Sequence, residues 1–302
     1  MLTINDWTER ARAHEALVGP WADAFLDRRS RSTKHPVHDF LFTYYSFAPT
    51  RLKQWVPALG ERLIVDDESL AVHPWLSSRW FVRDGDELSL DQTQLDDQTR
   101  RQAAFVCELC DRVLERAPRM RCYGLHEWAM VYRLSEEEVR HSGYRLRMPP
   151  DQLARFVESQ SVVCSHYDAF RFFTPEARPL NVLQPTLDTR LENEQGACLH
   201  ANMDLYKWAT KLWPWLGSEL IGECFALALE GRDLDMRASP YDLTELGYEP
   251  VCIETEEGRR AYQAEQQRLA ERAVPVRQRL GTTAAGILSV QCRNQEITAD
   301  QG

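Results

Sequence analysis

No apolar run in the chain approaches the roughly 18 residues that span a bilayer. Its start, MLTINDWTERARAHEAL, lacks the apolar stretch of a signal peptide. The expectation is a cytoplasmic protein with no membrane partner. Basic charge is also scarce: 36 Lys and Arg face 46 Asp and Glu, for a net charge of −10 and a pI near 5.4. That balance opposes broad nonspecific binding to nucleic acid, which needs cationic surface to neutralise phosphate. There is no glycine-rich dinucleotide fingerprint, no Walker lysine loop and no nucleophile elbow. Nucleotide-driven chemistry and cofactor-free acyl transfer therefore lose ground. The 8 cysteines are scattered. Cys107, Cys110 and Cys122 could act as soft ligands, but no second close-spaced pair follows, so most thiols should be reduced core residues.

What is present is an ordinary globular composition, 43% hydrophobic and 27% charged over 302 residues. A first helix is expected over 6–29, capped by Asp6, with Trp7, Ala11, Leu17, Trp21 and Phe25 on its apolar face. His35–Phe47 (HPVHDFLFTYYSF) reads as a buried helix entered at Pro36. Residues 60–96 are turn-rich with one or two minor strands. Helices follow over 95–115, 123–132 and 150–158, with a short acidic one from Ser135. Residues 161–165 suit a strand leading into His166, and the proline-punctuated stretch 174–196 suits an ordered loop covering something. Residues 198–213 and 218–231 are helical, and the charge-dense segment 233–242 leaves the second. A strand at 251–253 and a polar helix over 256–280 complete the expectation. The fold class is mainly α (α+β): one helical domain over 1–294 with a few short strands, and a flexible tail over 295–302.

Candidate chemistry concentrates between Val162 and Trp208. Four histidine groups sit beside carboxylates: His35/His38/Asp39, His126/Glu127, His166/Asp168 and His200/Asp204. Titratable groups in apolar sequence are costly unless paired, metal-bound or catalytic. His200 and Asp204, at i and i+4, share a helical face and can present both donors to one metal. His166-x-Asp168 shares a face if extended, and opens the facial triad of mononuclear iron oxygenases. His38, His126 and Glu223 are further candidate ligands, and Asp168, Asp204 and Glu127 candidate catalytic carboxylates. Adjacent His126 and Glu127 point apart on a helix, so one of them faces a given metal. Arg171, Arg178, Lys207, Arg232 and Arg237 either hold an anionic substrate group or neutralise Asp168, Asp204 and Asp235 as internal pairs. Tyr44, Trp128 and Phe172 either wall a pocket for a flat ring or belong to the core.

The phrases HPVHDFLFTYYSF, GLHEWAMVYRL, HYDAFRFFTPEARPLNVLQPT, CLHANMDLYKWA and LDMRASPYDLTELGYEPV together resemble a family of bacterial proteins labelled 3-methyladenine DNA glycosylase, over most of the chain. The resemblance implies an enzyme that flips a damaged base into an aromatic pocket, where Asp168 or Asp204 would activate water or steady the sugar cation. The residues themselves point first to a different enzyme. A divalent metal, iron ahead of manganese or zinc, held by His166, Asp168, His200 and Asp204, would activate water or oxygen against a small ring-containing or anionic substrate. DNA is a partner only under the glycosylase alternative. A non-catalytic metal- or ligand-binding protein ranks third. Oligomeric state has no signal in the sequence.

Overall fold

Thr3 begins the first helix, α1 (Ile4–Ser30): its side chain accepts from the Asp6 N–H while the Asp6 carboxylate takes the Thr3 N–H at 2.9 Å. Asp6 is thus the third helical residue of a capping box rather than the cap. The computed structural model describes residues 1–135, 138–139 and 143–290. The acidic turn expected at 136–137 and the tail 295–302 lie outside the described residues.

The buried helix expected over 36–47 is only one turn, α2 (Asp39–Thr43). Competing local bonds cut it short. His35 Nδ1 accepts from the Val37 and His38 N–H groups, Asp39 takes the His35 N–H, and Ser46 sits at φ 55°. Short α3 (Pro49–Lys53) packs on α1. Three strands follow, β1 (Arg62–Ile64), β2 (Phe81–Asp84) and β3 (Glu87–Leu90), with α4 (Asp67–Val72) between the first two. They form an antiparallel sheet in the order β1-β3-β2, with Leu63 opposite Leu88 and Phe81 opposite Leu90. Leu63 and Leu88 close a small core with Trp7, Trp55 and Leu76, and the Trp7 indole donates to the Ile64 carbonyl at 2.9 Å.

The remaining elements are helical: α5 (Asp97–Glu115), α6 (Leu125–Ala129), α7 (Pro150–Glu158), α8 (Tyr167–Phe170), α9 (Arg190–Asn193), α10 (Leu199–Lys211), α11 (Ser218–Arg237) and α12 (Glu256–Leu288). A mainly α fold is what they make. Helix α10 is the hub, with nearly every residue from Leu199 to Ala209 buried and with α11 and α12 packed on it. Gly231 on α11 lets the two helices approach closely, since a Cβ there would stand 2.8 Å from Met203 Cγ.

Three further expectations fail for local reasons. Residues 161–165 form no strand, only a bridge from Val162 to Asn181. The Asn181 side chain takes the Cys164 N–H at 2.7 Å and returns a bond to its carbonyl at 2.9 Å, satisfying the backbone without a neighbouring strand. Helix α11 does not end near Gly231 but runs to Arg237, its added turns carrying Arg232–Asp235 and Asp233–Arg237 pairs at helical spacing. No strand forms at 251–253. The proline-rich stretch holds a 3-10 turn over Arg178–Leu180 and the short helix α9, and Arg116 clamps the carbonyls of Leu191 and of Glu194 just beyond it.

Gly124 caps α6 at φ 72°, and a Cβ there would lie 3.3 Å from Ala238 Cβ. Gly124→Ala should lower unfolding free energy by about 1–2 kcal/mol, from left-handed strain plus crowding. Urea unfolding reads this directly, and an unchanged midpoint would contradict it.

Candidate functional site

Helix α10 points three polar side chains into the interior at i, i+4 and i+7: His200, Asp204 and Lys207. Helix α6 brings His126 and Glu127, the extended turn of α11 brings Arg232 and Asp235, the start of α8 brings His166 and Asp168, and α9 with its exit brings Arg190 and Glu194. Most of these are buried.

They sort into two clusters that meet at His200. In the first, His126 Nε2 bonds Asp235 Oδ1 at 2.7 Å, and Arg232 donates to Asp235 Oδ2 at 2.9 Å and to Glu127 Oε1 at 3.1 Å. His200 Nε2 lies 3.9 Å from the same carboxylate, and its ring stands edge-on to His126 with centroids 4.4 Å apart. In the second, His166 Nε2 faces Asp204 Oδ2 at 3.2 Å and Glu194 Oε1 at 3.4 Å. Lys207 bridges Asp168 at 2.5 Å and Asp204 at 3.0 Å, while Arg190 reaches Asp168 at 2.8 Å and Glu194 at 3.4 Å. The His166 and His200 rings are 5.5 Å apart.

The clusters floor a cavity of about 1250 Å³. Glu127, Asp168, His200 and Arg232 line it, with Phe40, Tyr44 and Phe172 on the walls. Behind the two imidazoles lies a 10 Å³ void edged by Cys122, Cys164, Cys198 and Tyr262, room for about one water.

Burial and neighbours tune these groups in opposite directions. Burial pulls the His126 imidazole down, but the Asp235 carboxylate outweighs it and raises its pKa well above the ordinary histidine value. Burial, with His126 nearby, drives His200 down to about 3, so it is a neutral donor at pH 7. Burial lifts Asp235, yet His126, His200 and Arg232 hold it below the usual carboxylate range. Asp204 is likewise held low against burial by Lys207 and His166. Glu127 is raised by burial and by Asp235, against the opposing pull of Arg232. Tyr44 is pushed up to about 12 by burial and the negative charge of Asp204 and Asp168.

Five interior carboxylates, Asp168, Asp204, Glu194, Glu127 and Asp235, face three permanent cations, Arg190, Lys207 and Arg232. Arg171 touches Asp168 from the edge at 3.4 Å, with 42% of its side chain exposed. The raised pKa values of Glu127, Glu194 and His126 show the same network drawing protons to itself. Two sets of three donors lie within 4.8 Å of one another: His126/His200/Asp235, and His166/Glu194/Asp204. The first is two imidazoles and one carboxylate, with neutral His200 on the cavity wall. In both sets the carboxylates already face cations, Asp204 and Glu194 with Lys207 and Arg190, and Asp235 with Arg232 and the His126 ring. The first set differs in having a member, His200, on the cavity wall.

Several expected assignments change. His200 and Asp204 share a helix face but serve different clusters. His166 and Asp168 do not act together, because α8 begins between them and sends Asp168 to Arg190 and Lys207. His38 is no ligand of either set: its ring stacks on His35, and its Nε2 bonds the Tyr248 hydroxyl at 2.9 Å. Glu223 pairs with Arg279 on the surface, because its turn of α11 faces α12. Arg237 pairs with Glu265, and exposed Arg178 donates to the Arg171 carbonyl, so neither lines the cavity. Lys207 is consumed by two carboxylates. Trp128 is core, its indole donating to the Ala238 carbonyl at 2.9 Å. Cys107 and Cys110 lie along α5 while Cys122 sits by His126, so the three do not converge. Asp235 was legible only as an acid needing a partner, and Arg190 and Glu194 went unnoticed. Their signal is the spacing Arg232/Asp235 at i, i+3 and Arg190/Glu194 at i, i+4. No protein-family profile, no curated protein and no solved structure matches this chain.

A histidine whose folded pKa is depressed stabilises nothing as it protonates: the unfolded state takes the proton first, near pH 6.5, and stability falls as pH drops towards the folded value. With His200 held down to about 3, the metal-free protein should lose on the order of 2 kcal/mol at this residue between pH 7.5 and 5. His200→Gln removes the titration. Urea unfolding at the two pH values should show a shallower fall in the variant, and equal falls would contradict the assignment.

Proposed function

We propose that the chain is a metal-dependent enzyme in which His126, His200 and Asp235 hold one divalent ion, iron ahead of manganese or zinc, at the floor of the large cavity. The observation that carries this is the convergence of both Nε2 atoms and the Asp235 carboxylate, with His200 open to the cavity. Two imidazoles and one carboxylate are a donor set that would suit iron(II). When bound, the ion would provide Lewis acidity and sites for water or oxygen beside a small ring-containing substrate.

The chain's own residues then divide the work. Arg232 fixes Asp235 and Glu127 in one orientation through a forked donor. Glu127 lines the cavity, and its raised pKa suits it to hold a proton and pass it to bound substrate. Lys207 and Arg190 keep Asp168 and Asp204 ionised and fixed, so α8, α9 and α10 meet His200 in one arrangement. Phe40, Tyr44 and Phe172 offer ring faces.

Untagged protein given iron anaerobically should bind about one equivalent. His126→Ala and Asp235→Asn should each lower retention by about tenfold or more, as loss of a ligand does, while Glu223→Ala should not. Less than about 0.2 equivalents of any transition metal in the wild type would sink the proposal.

The base-excision alternative draws on one feature, a cavity that combines aromatic walls with the carboxylates of Glu127 and Asp168. It predicts release of free 3-methyladenine from alkylated DNA at low salt, lost in Glu127→Gln and Asp168→Asn. No release from the wild type at low salt, where phosphate binding is strongest, would remove it.

A further inference from the structure

The charges lining the cavity are unevenly used. Arg232, at its floor, is tied to Glu127 and Asp235. Arg29, at the end of α1, and Lys34, in the turn that follows, line the same cavity from its exposed side, and neither has an ion-pair or side-chain hydrogen-bond partner among the described residues. One acid on this wall, Glu138, is occupied by the Ser135 N–H at 3.0 Å. The same lining carries the apolar side chains of Phe25, Phe42, Phe47 and Met130 among polar ones such as Thr43 and Ser46. The volume, about 1250 Å³, exceeds the roughly 300–1,000 Å³ of sites for drug-sized ligands, which leaves room for a ligand that meets Arg29, Lys34 and His200 at once.

We propose that the cavity takes an elongated aromatic acid, with its ring against these apolar side chains, its anionic group at Arg29 and Lys34, and its other end at His200. Only the identity of the reacting end rests on the metal proposal above; the recognition of an acid at the mouth does not. Guanidinium and ammonium groups with no partner among the described residues lose little on meeting an anion, whereas Lys207 or Arg232 would first have to release a buried carboxylate.

The test uses full-length, metal-free protein and two fluorescent probes that differ by one charged group, anilinonaphthalenesulfonate and uncharged N-phenylnaphthylamine. Both should bind in the wild type, and Met130→Trp, which adds bulk among those side chains, should weaken both. The double variant Arg29→Ala/Lys34→Ala should weaken the sulfonate about tenfold, the loss expected for two charge-assisted contacts, and leave the amine within about twofold. Equal changes for the two probes, no binding of either, or binding untouched by Met130→Trp would each overturn the proposal. Displacement of the sulfonate by a single-stranded oligonucleotide would do so too, because it would make the anion site one for polynucleotide. Metal retention is unaffected by these outcomes, so failure here and failure of the metal centre are told apart.

Discussion

The interior of this protein is built around buried carboxylates that positive charge must answer. Asp168, Asp204, Glu194, Glu127 and Asp235 are gathered about His200, and Arg190, Lys207 and Arg232 pair with them, with Arg171 at the edge and the His126 imidazole against Asp235. An unbalanced charge in a low-dielectric interior costs several kcal/mol, so any carboxylate charge the cations leave unanswered falls to protons or a metal ion. His126 shows the first solution at work, its pKa raised by Asp235. A divalent ion is the second, and it would displace that proton. Under the proposed metal centre, Asp235 would pair with a proton in the metal-free protein and with the ion in the loaded one.

The fold is arranged to keep this network dry on all sides but one. Helix α10 is buried along nearly its whole length and carries His200, Asp204 and Lys207. Helices α11 and α12 pack on it, and Arg277 of α12 donates to the Ala201 carbonyl and the Asn202 side chain beside His200. Arg116 grips the backbone after α9, which keeps Glu194 and Arg190 in place although their stretch of chain is mostly irregular. The open side is the large cavity, reached through Glu127, Asp168, His200 and Arg232. The loop expected to cover a site supplies two of its charges, Arg190 and Glu194.

Much of the helical framework was legible in the sequence, because long elements such as α1, α5 and α12 announce themselves through apolar periodicity and caps. Short elements were not. Local side-chain bonds from His35, Asp39 and Asn181 settled them, and those compete with helix and strand in ways periodicity does not register. The candidate site was visible as histidines beside carboxylates, and His126, Glu127, His166, His200, Asp168 and Asp204 do gather in space. Their pairing was not visible. His200 and Asp204 share a helical face by spacing, but His200 meets α6 and α11 while Asp204 meets His166 and Arg190, and how those elements pack on α10 is not written in spacing. Asp235 was missed as a ligand because Gly231 and the dense charges after it look like a helix end, whereas paired charges carry α11 on to Arg237.

The most direct test of the central claim is anomalous diffraction from crystals soaked anaerobically in iron(II), with data at the iron edge. The account predicts one strong peak within bonding distance of His126 Nε2, His200 Nε2 and Asp235. A peak among His166, Glu194 and Asp204 instead, or none at all, would contradict it.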